Sequence, residues 1–144
     1  GCTAELMSFS GDEMVLGHIG DSRTYLYRDG KLRQITRDHS MVQKQIEEGH
    51  ITAQEARKHP LRNVILRAVG ISQGLDLDVI KIKPEPKDIF LLCSDGLTDM
   101  IEDEQIRDVL ASDSTLEEDS DKLIELAKAA GGADNITVVL CRII

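Results

Sequence analysis

The amino-acid sequence predicts an α+β layered sandwich rather than a doubly wound parallel sheet, and three observations carry that prediction. Short β-rich runs joined by Gly/Asp turns fill the first quarter, residues 89–93 are apolar throughout, and two helical stretches follow before a last β-branched run. Strands and helices therefore come in separate blocks, without βαβ alternation and without an internal repeat.

Residues 4–9, 14–19, 23–28 and 31–35 read as a meander of antiparallel strands. Gly11-Asp12 and Asp29-Gly30 supply its turns, because a tight hairpin needs positive φ values that Gly and Asp tolerate. Residues 40–48 then change to a helical composition that stops at Gly49. Thr52-Ala53-Gln54-Glu55 has capping-box spacing, so a second short helix is expected before Pro60. Helices this short are not stable alone, and the 40–60 segment is expected to form a lobe packed loosely on the sheet. Residues 75–79 alternate with period two, as in a half-buried strand, and Pro84 and Pro86 follow as a break. The apolar run 89–93 reads as a strand buried on both faces. Helices are expected over 103–111 and 115–130, the second opened by Ser114 with Glu117 three residues on and stopped by Gly131-Gly132. Its Leu116, Leu123, Ile124, Ala127 and Ala130 fall mostly on one face. Residues 136–144 form the last strand.

The composition narrows the function classes. With 144 residues, 41% of them hydrophobic, the chain can bury a core as one unit without disulfides or structural zinc. Its three cysteines lack C-x-x-C spacing, and Cys93 and Cys141 sit in apolar runs where Cys acts as a small hydrophobe. A net charge of -9 opposes attraction to nucleic acid and to anionic membrane surfaces. No apolar run is long enough to span a bilayer and nothing resembles a signal peptide, so a cytoplasmic location is expected. The chain opens on Gly1 and runs directly into a strand pattern, which reads as a start cut within a longer protein.

Three aspartates share one context, a polar or glycine-bearing turn at the tip of an apolar strand: Gly20-Asp21-Ser22-Arg23, Ser94-Asp95-Gly96-Leu97 and Ala133-Asp134-Asn135-Ile136. Carboxylates converging at strand ends repel one another unless a hard cation neutralises them, and an Asp-only donor set favours Mg²⁺ or Mn²⁺ over softer metals. Asp beside Gly is also ordinary turn chemistry. By that plainer reading Asp29 is a turn residue and Asp99 a helix-start acid. Arg23 is a candidate phosphate contact or the partner of a buried carboxylate, and Ser94 belongs to the turn. His39 and His59 border the 40–60 lobe, where they could influence substrate access, although a lone His is more often structural.

These motifs, together with Tyr25, Asp29-Gly30, His59-Pro60 and the stretch from Asn63 to Gly70, resemble the bacterial type of PP2C (PPM) metal-dependent serine/threonine protein phosphatases, in matching order and spacing along essentially the whole chain. The resemblance implies an α-β-β-α sandwich of two mainly antiparallel sheets flanked by helices, here lacking its N-terminal strands. It implies two Mn²⁺ or Mg²⁺ ions with Asp95 and Asp134 as ligands, a third, weaker ion at Asp21, and a flap over residues 40–60. The implied reaction is hydrolysis of phosphoserine and phosphothreonine in proteins by a metal-activated water. Implied partners are phosphorylated proteins, including a serine/threonine kinase. The family's Asp-Gly-x-Gly-Gly metal loop, phosphate-binding Arg and His acid have no counterpart here, so the 144 residues alone are expected to turn over little substrate. Strands left unpaired are expected to favour a dimer or strand exchange. Two rival classes are a catalytically silent binding module and a Ca²⁺-binding domain. The second is opposed by the absence of an EF-hand loop.

Overall fold

The computed structural model describes residues 1–144. In chain order the elements are β1 (Ala4–Ser10), β2 (Glu13–Ile19), β3 (Arg23–Arg28), β4 (Lys31–Gln34), α1 (Met41–Glu47), α2 (Ala53–Ala56), β5 (Asp78–Ile82), β6 (Ile89–Cys93), α3 (Asp95–Thr98), α4 (Asp103–Leu110), α5 (Leu116–Ala129) and β7 (Val138–Arg142). They form two compact units, Gly1–Ser22 with Arg37–Ile82, and Arg23–Thr36 with Lys83–Ile144. Each unit holds one antiparallel sheet.

In the first unit the strand order is β1-β2-β5. The β1–β2 hairpin closes at Gly11, whose φ of 62° lies in the left-handed region expected of a tight turn. The register sets Glu5 opposite His18 and His18 opposite Asp78, so three ionisable side chains share one row and one face. The expected strand over 75–79 is displaced to Asp78–Ile82, because pairing with β2 begins only opposite His18. Leu75 and Leu77 remain exposed in a loop that Arg67 holds through the Asp76 carbonyl. The helical pair forms as expected: Ser40 Oγ accepts the Gln43 N–H at 3.3 Å, and Thr52 and Glu55 complete the capping box. Ser40 itself is buried and bridges to Ile65, which ties the start of this segment down.

In the second unit the order is β4-β3-β6-β7. The expected single meander is therefore divided: β1 and β2 share a sheet with β5, whereas β3 and β4 belong with β6. The physical reason is that β6, apolar throughout, needs a paired neighbour on each edge, and β3 and β7 supply them. Tyr25, Ile89, Leu91 and Cys93 of the sheet are buried with Leu97, Ile101, Ile106, Leu110, Leu123 and Ala127 of the helical layer. Each fully buried Leu or Ile contributes roughly 1.5–3 kcal/mol. The α5 cap is Thr115 with Glu118, one residue beyond the expected pair, because the Ser114 hydroxyl is drawn to the buried Asp119.

The sheet also fixes a buried charge. Asp88 is 1% exposed, accepts Arg28 Nε at 2.8 Å and Nη2 at 2.6 Å, and caps the Glu85 N–H at 2.8 Å. Burial opposes its charge, but the Arg28 hydrogen bonds more than offset this and hold its carboxyl below the usual range. Its contribution is therefore present above the ordinary carboxylate pKa and is lost as pH falls through the folded value. Removing the guanidinium leaves a buried carboxylate unpaired. Arg28→Ala is expected to cost about 2–4 kcal/mol of unfolding free energy by urea denaturation at neutral pH, with the deficit shrinking below about pH 4 as Asp88 protonates.

Candidate metal centre

β6 ends in Ser94-Asp95-Gly96, and its antiparallel partner β7 starts just after Asp134-Asn135. Because Cys93 lies opposite Val138, the two turns emerge side by side. Ser94 fastens them together. Its N–H donates to the Thr137 carbonyl at 3.1 Å, its Oγ donates to the Asn135 carbonyl at 3.2 Å, and the same Oγ accepts the Thr137 N–H at 3.0 Å. Gly96 lets them touch: a Cβ there would stand 2.0 Å from the Asn135 carbonyl oxygen.

Asp95 opens α3, a single helical turn that the glycine beside it had disguised as a plain loop. Burial, then the charges of Asp99 and Asp134, hold the Asp95 carboxyl above its usual range, against an opposing hydrogen bond from Gly96. Asp99 is thus not a helix-start acid. It stands at the C-cap of α3, and α4 starts later, at Asp103. Asp134 is exposed, and its Oδ1 accepts the Asn135 N–H at 2.7 Å, which fixes its rotamer. Asp99 and Asp134 acting on Asp95, with oxygen as the only donor atom, make a set that fits a hard divalent cation. Arg23, paired with Cys93 across the sheet, donates from Nη1 to Tyr25 Oη at 3.1 Å, and Tyr25 donates in turn to Asp103 at 3.0 Å.

Asp21 lies in the first unit, half-buried, directly after Gly20. There the structure adds a feature that sequence spacing hid, since its members are scattered from residue 5 to residue 78. His18 Nδ1 is hydrogen-bonded to Glu5 and its Nε2 to the Arg37 carbonyl at 2.8 Å. His39 accepts the Gly20 N–H on Nδ1 at 3.0 Å and meets Asp78 Oδ2 through Nε2 at 2.8 Å. The two rings lie 4.5 Å apart. His39 is thus buried against the Asp21 turn and is not a gate residue on the lobe. For His18, burial opposes the charge but Glu5 outweighs it and raises the pKa. For His39, burial and the nearby positive charges of His18 and Arg67 prevail over Asp78 and lower it. Asp78 is desolvated too, yet hydrogen bonds from His39 and Arg67 keep its carboxyl low.

Ligand atoms of His18, His39 and Asp78 lie within 4.8 Å of one another, close enough to invite a metal. The hydrogen bonds argue otherwise. Both His18 nitrogens face oxygen acceptors and so carry protons, while the single lone pair of a neutral His39 is taken by Gly20. No imidazole lone pair is left for an ion.

Residues 24–144 match the family described as Stage II sporulation protein E (SpoIIE). The serine/threonine phosphatase stp of Listeria welshimeri is 39% identical over 140 residues, covering 97% of this chain and 56% of the relative. The chain belongs to the PP2C-type serine/threonine phosphatase family. The S. agalactiae serine/threonine phosphatase structure superposes on this PP2C-type chain with a TM-score of 0.93 at 36% identity, covering 99% of this chain and 59% of that one. The catalytic domain of PstP, solved in complex with two manganese ions, matches with a TM-score of 0.87 at 41% identity, covering 96% and 56%. The PP2C-type chain thus spans a little over half the length of these relatives and carries their two-sheet fold.

Two outcomes follow for this PP2C-type site. Gly96→Ala is expected to cost about 2–4 kcal/mol in chemical denaturation, because the methyl must displace backbone and not a flexible side chain. Asp95→Asn is expected to raise metal-free stability by about 1 kcal/mol at neutral pH, since it removes a carboxylate whose folded pKa is raised. That gain should vanish in acid, below about pH 4, where the wild-type carboxyl is itself neutral.

Proposed function

We propose that the protein hydrolyses phosphoserine and phosphothreonine in proteins with a water activated by Mn²⁺ or Mg²⁺. The observation that carries the proposal is the pair of turns holding Asp95 and Asp134, clamped by Ser94 and Gly96 although the Asp134 charge opposes that of Asp95. A fold that holds acids together at such a cost is adapted to a cation, and PstP, a relative with two manganese ions, agrees with that adaptation. Asp95 and Asp134 would hold two ions, and Asp21 a third, weaker one. When bound, the ions would align and activate water and neutralise charge on the phosphoryl oxygens. The protein's own part is to fix the carboxylates on a rigid sheet and to bring substrate beside them.

Residues 40–60 would serve as a flap-like insert. Substrates are phosphorylated proteins, a serine/threonine kinase among them, met in the cytoplasm. No helix is long and apolar enough to cross a membrane. The relatives' additional length is expected to carry an Asp-Gly-x-Gly-Gly metal loop, which these 144 residues lack. The 144 residues alone are therefore expected to hydrolyse substrate weakly and to pair through open strand edges, as a dimer or by strand exchange, detectable by light scattering.

The test compares Mn²⁺-dependent hydrolysis of a phosphothreonine peptide by a chain that includes the metal loop and by its Asp95→Asn and Asp134→Asn variants. Each substitution is expected to lower kcat/KM by about 100-fold or more. Activity that survives both substitutions would refute the site. Absence of activity in a folded chain with metal bound would favour a catalytically silent binding module.

A further inference from the structure

Gly20, the residue before Asp21, is gripped from two directions. Its φ is 112°, and a Cβ on it would lie 2.3 Å from Thr3 Cγ2, so the backbone is packed directly against β1's approach. On its polar side a single residue takes both of its main-chain groups: the His39 N–H donates to the Gly20 carbonyl at 2.8 Å, and the Gly20 N–H donates to His39 Nδ1 at 3.0 Å. The second bond fixes a tautomer. An imidazole nitrogen that accepts carries no proton, so a neutral His39 holds its proton on Nε2 and donates it to Asp78 Oδ2 at 2.8 Å.

Asp78 supports that form. It is oriented by Arg67, whose Nη2 donates to its other oxygen at 3.0 Å. Arg67 Nη1, itself a donor 2.8 Å from Nε2, competes with a proton there, so the Gly20 and Asp78 contacts set the tautomer against it. His18, its ring centre 4.5 Å away and both nitrogens donating, is the charged member of the pair, compensated by Glu5. A second proton on His39 would set two imidazolium rings 4.5 Å apart, tilted by 37°, with no exposed side-chain surface on either. The five side chains form one arrangement, with Glu5–His18 as its ion pair and Asp78–His39 as its clamp on Gly20.

We propose that His39 is a positioning residue for the Asp21 carboxylate, acting through the Nδ1 acceptor that fixes the Gly20 backbone. This rests on the assignment of Asp21 to a weak divalent-cation site and extends it to the groups that build the site. Such supporting residues usually tune metal affinity by 10–100-fold. The sharpest comparison uses two amides of different reach. In His39→Asn the side-chain oxygen takes the place of Nδ1 and keeps an acceptor for Gly20. In His39→Gln the amide reaches toward Asp78 and leaves the Gly20 N–H without one.

Three measurements on the intact chain decide the matter. Imidazole ¹⁵N spectra of the wild type are expected to show His39 as the Nε2–H tautomer and His18 doubly protonated at neutral pH. The Gly20 amide is expected to exchange within about twofold of wild type in His39→Asn and about 10–100-fold faster in His39→Gln. Titration with Mn²⁺ alone, followed by paramagnetic broadening of the Asp21 and Ser22 amides, is expected to need roughly tenfold more metal in His39→Gln only. An Nδ1–H tautomer, or a Gly20 amide equally protected in both variants, would overturn the proposal whatever the metal does. Broadening absent in the wild type, with the tautomer and exchange pattern as expected, would instead remove Asp21 from the metal site and leave His39 as the residue that sets its turn.

Discussion

The constraint on which the rest of the second unit depends is a repulsion that the fold refuses to relax. Asp95 is half-buried within reach of the negative charges of Asp99 and Asp134. A loop free to move would separate them. Here the β6–β7 ladder, the Ser94 hydroxyl and the bare Cα of Gly96 hold the two turns against each other. The helical layer behind the sheet, with Leu97 of α3 fully buried, anchors the same turn from its other end. Stability spent this way would be recovered on binding a cation, by the ordinary linkage between ligand affinity and folding.

Elsewhere the protein treats buried charge conservatively, and the contrast identifies the exception. Asp88 receives two hydrogen bonds from Arg28 and a backbone N–H. In the first unit Glu5 is matched by His18, and Asp78 by His39 and Arg67. Each acid there has a partner that lowers the cost of its burial. On Asp95, by contrast, the charges of Asp99 and Asp134 act with its own sign. An external cation would relieve that repulsion.

Much of this was legible in the sequence because it is written in local chemistry. Asp29-Gly30 specifies the β3–β4 hairpin, Thr52 and Glu55 specify the α2 cap, and the unbroken apolar run of residues 89–93 specifies a central strand. The aspartates at strand tips were legible for the same reason. Sheet membership was not, since nothing between Ile19 and Arg23 signals that β3 pairs with a strand some 60 residues away rather than with β2. Alternation runs over residues 75–79 and shifts phase at Val79-Ile80, so the start of β5 was set by pairing with β2. The single turn of α3 was hidden by Gly96, whose presence answers to the Asn135 carbonyl and not to helix propensity. The Glu5, His18, His39, Arg67 and Asp78 arrangement was invisible for a similar reason: its members meet only through tertiary structure.

The most direct test of the account is an anomalous-scattering map from crystals of the protein grown with Mn²⁺. The account predicts an ion bound by carboxylate oxygens of both Asp95 and Asp134, at roughly the 2.0–2.3 Å expected of a small hard divalent cation. An ordered Mn²⁺ held by other residues, or none at this position at millimolar metal, would contradict it.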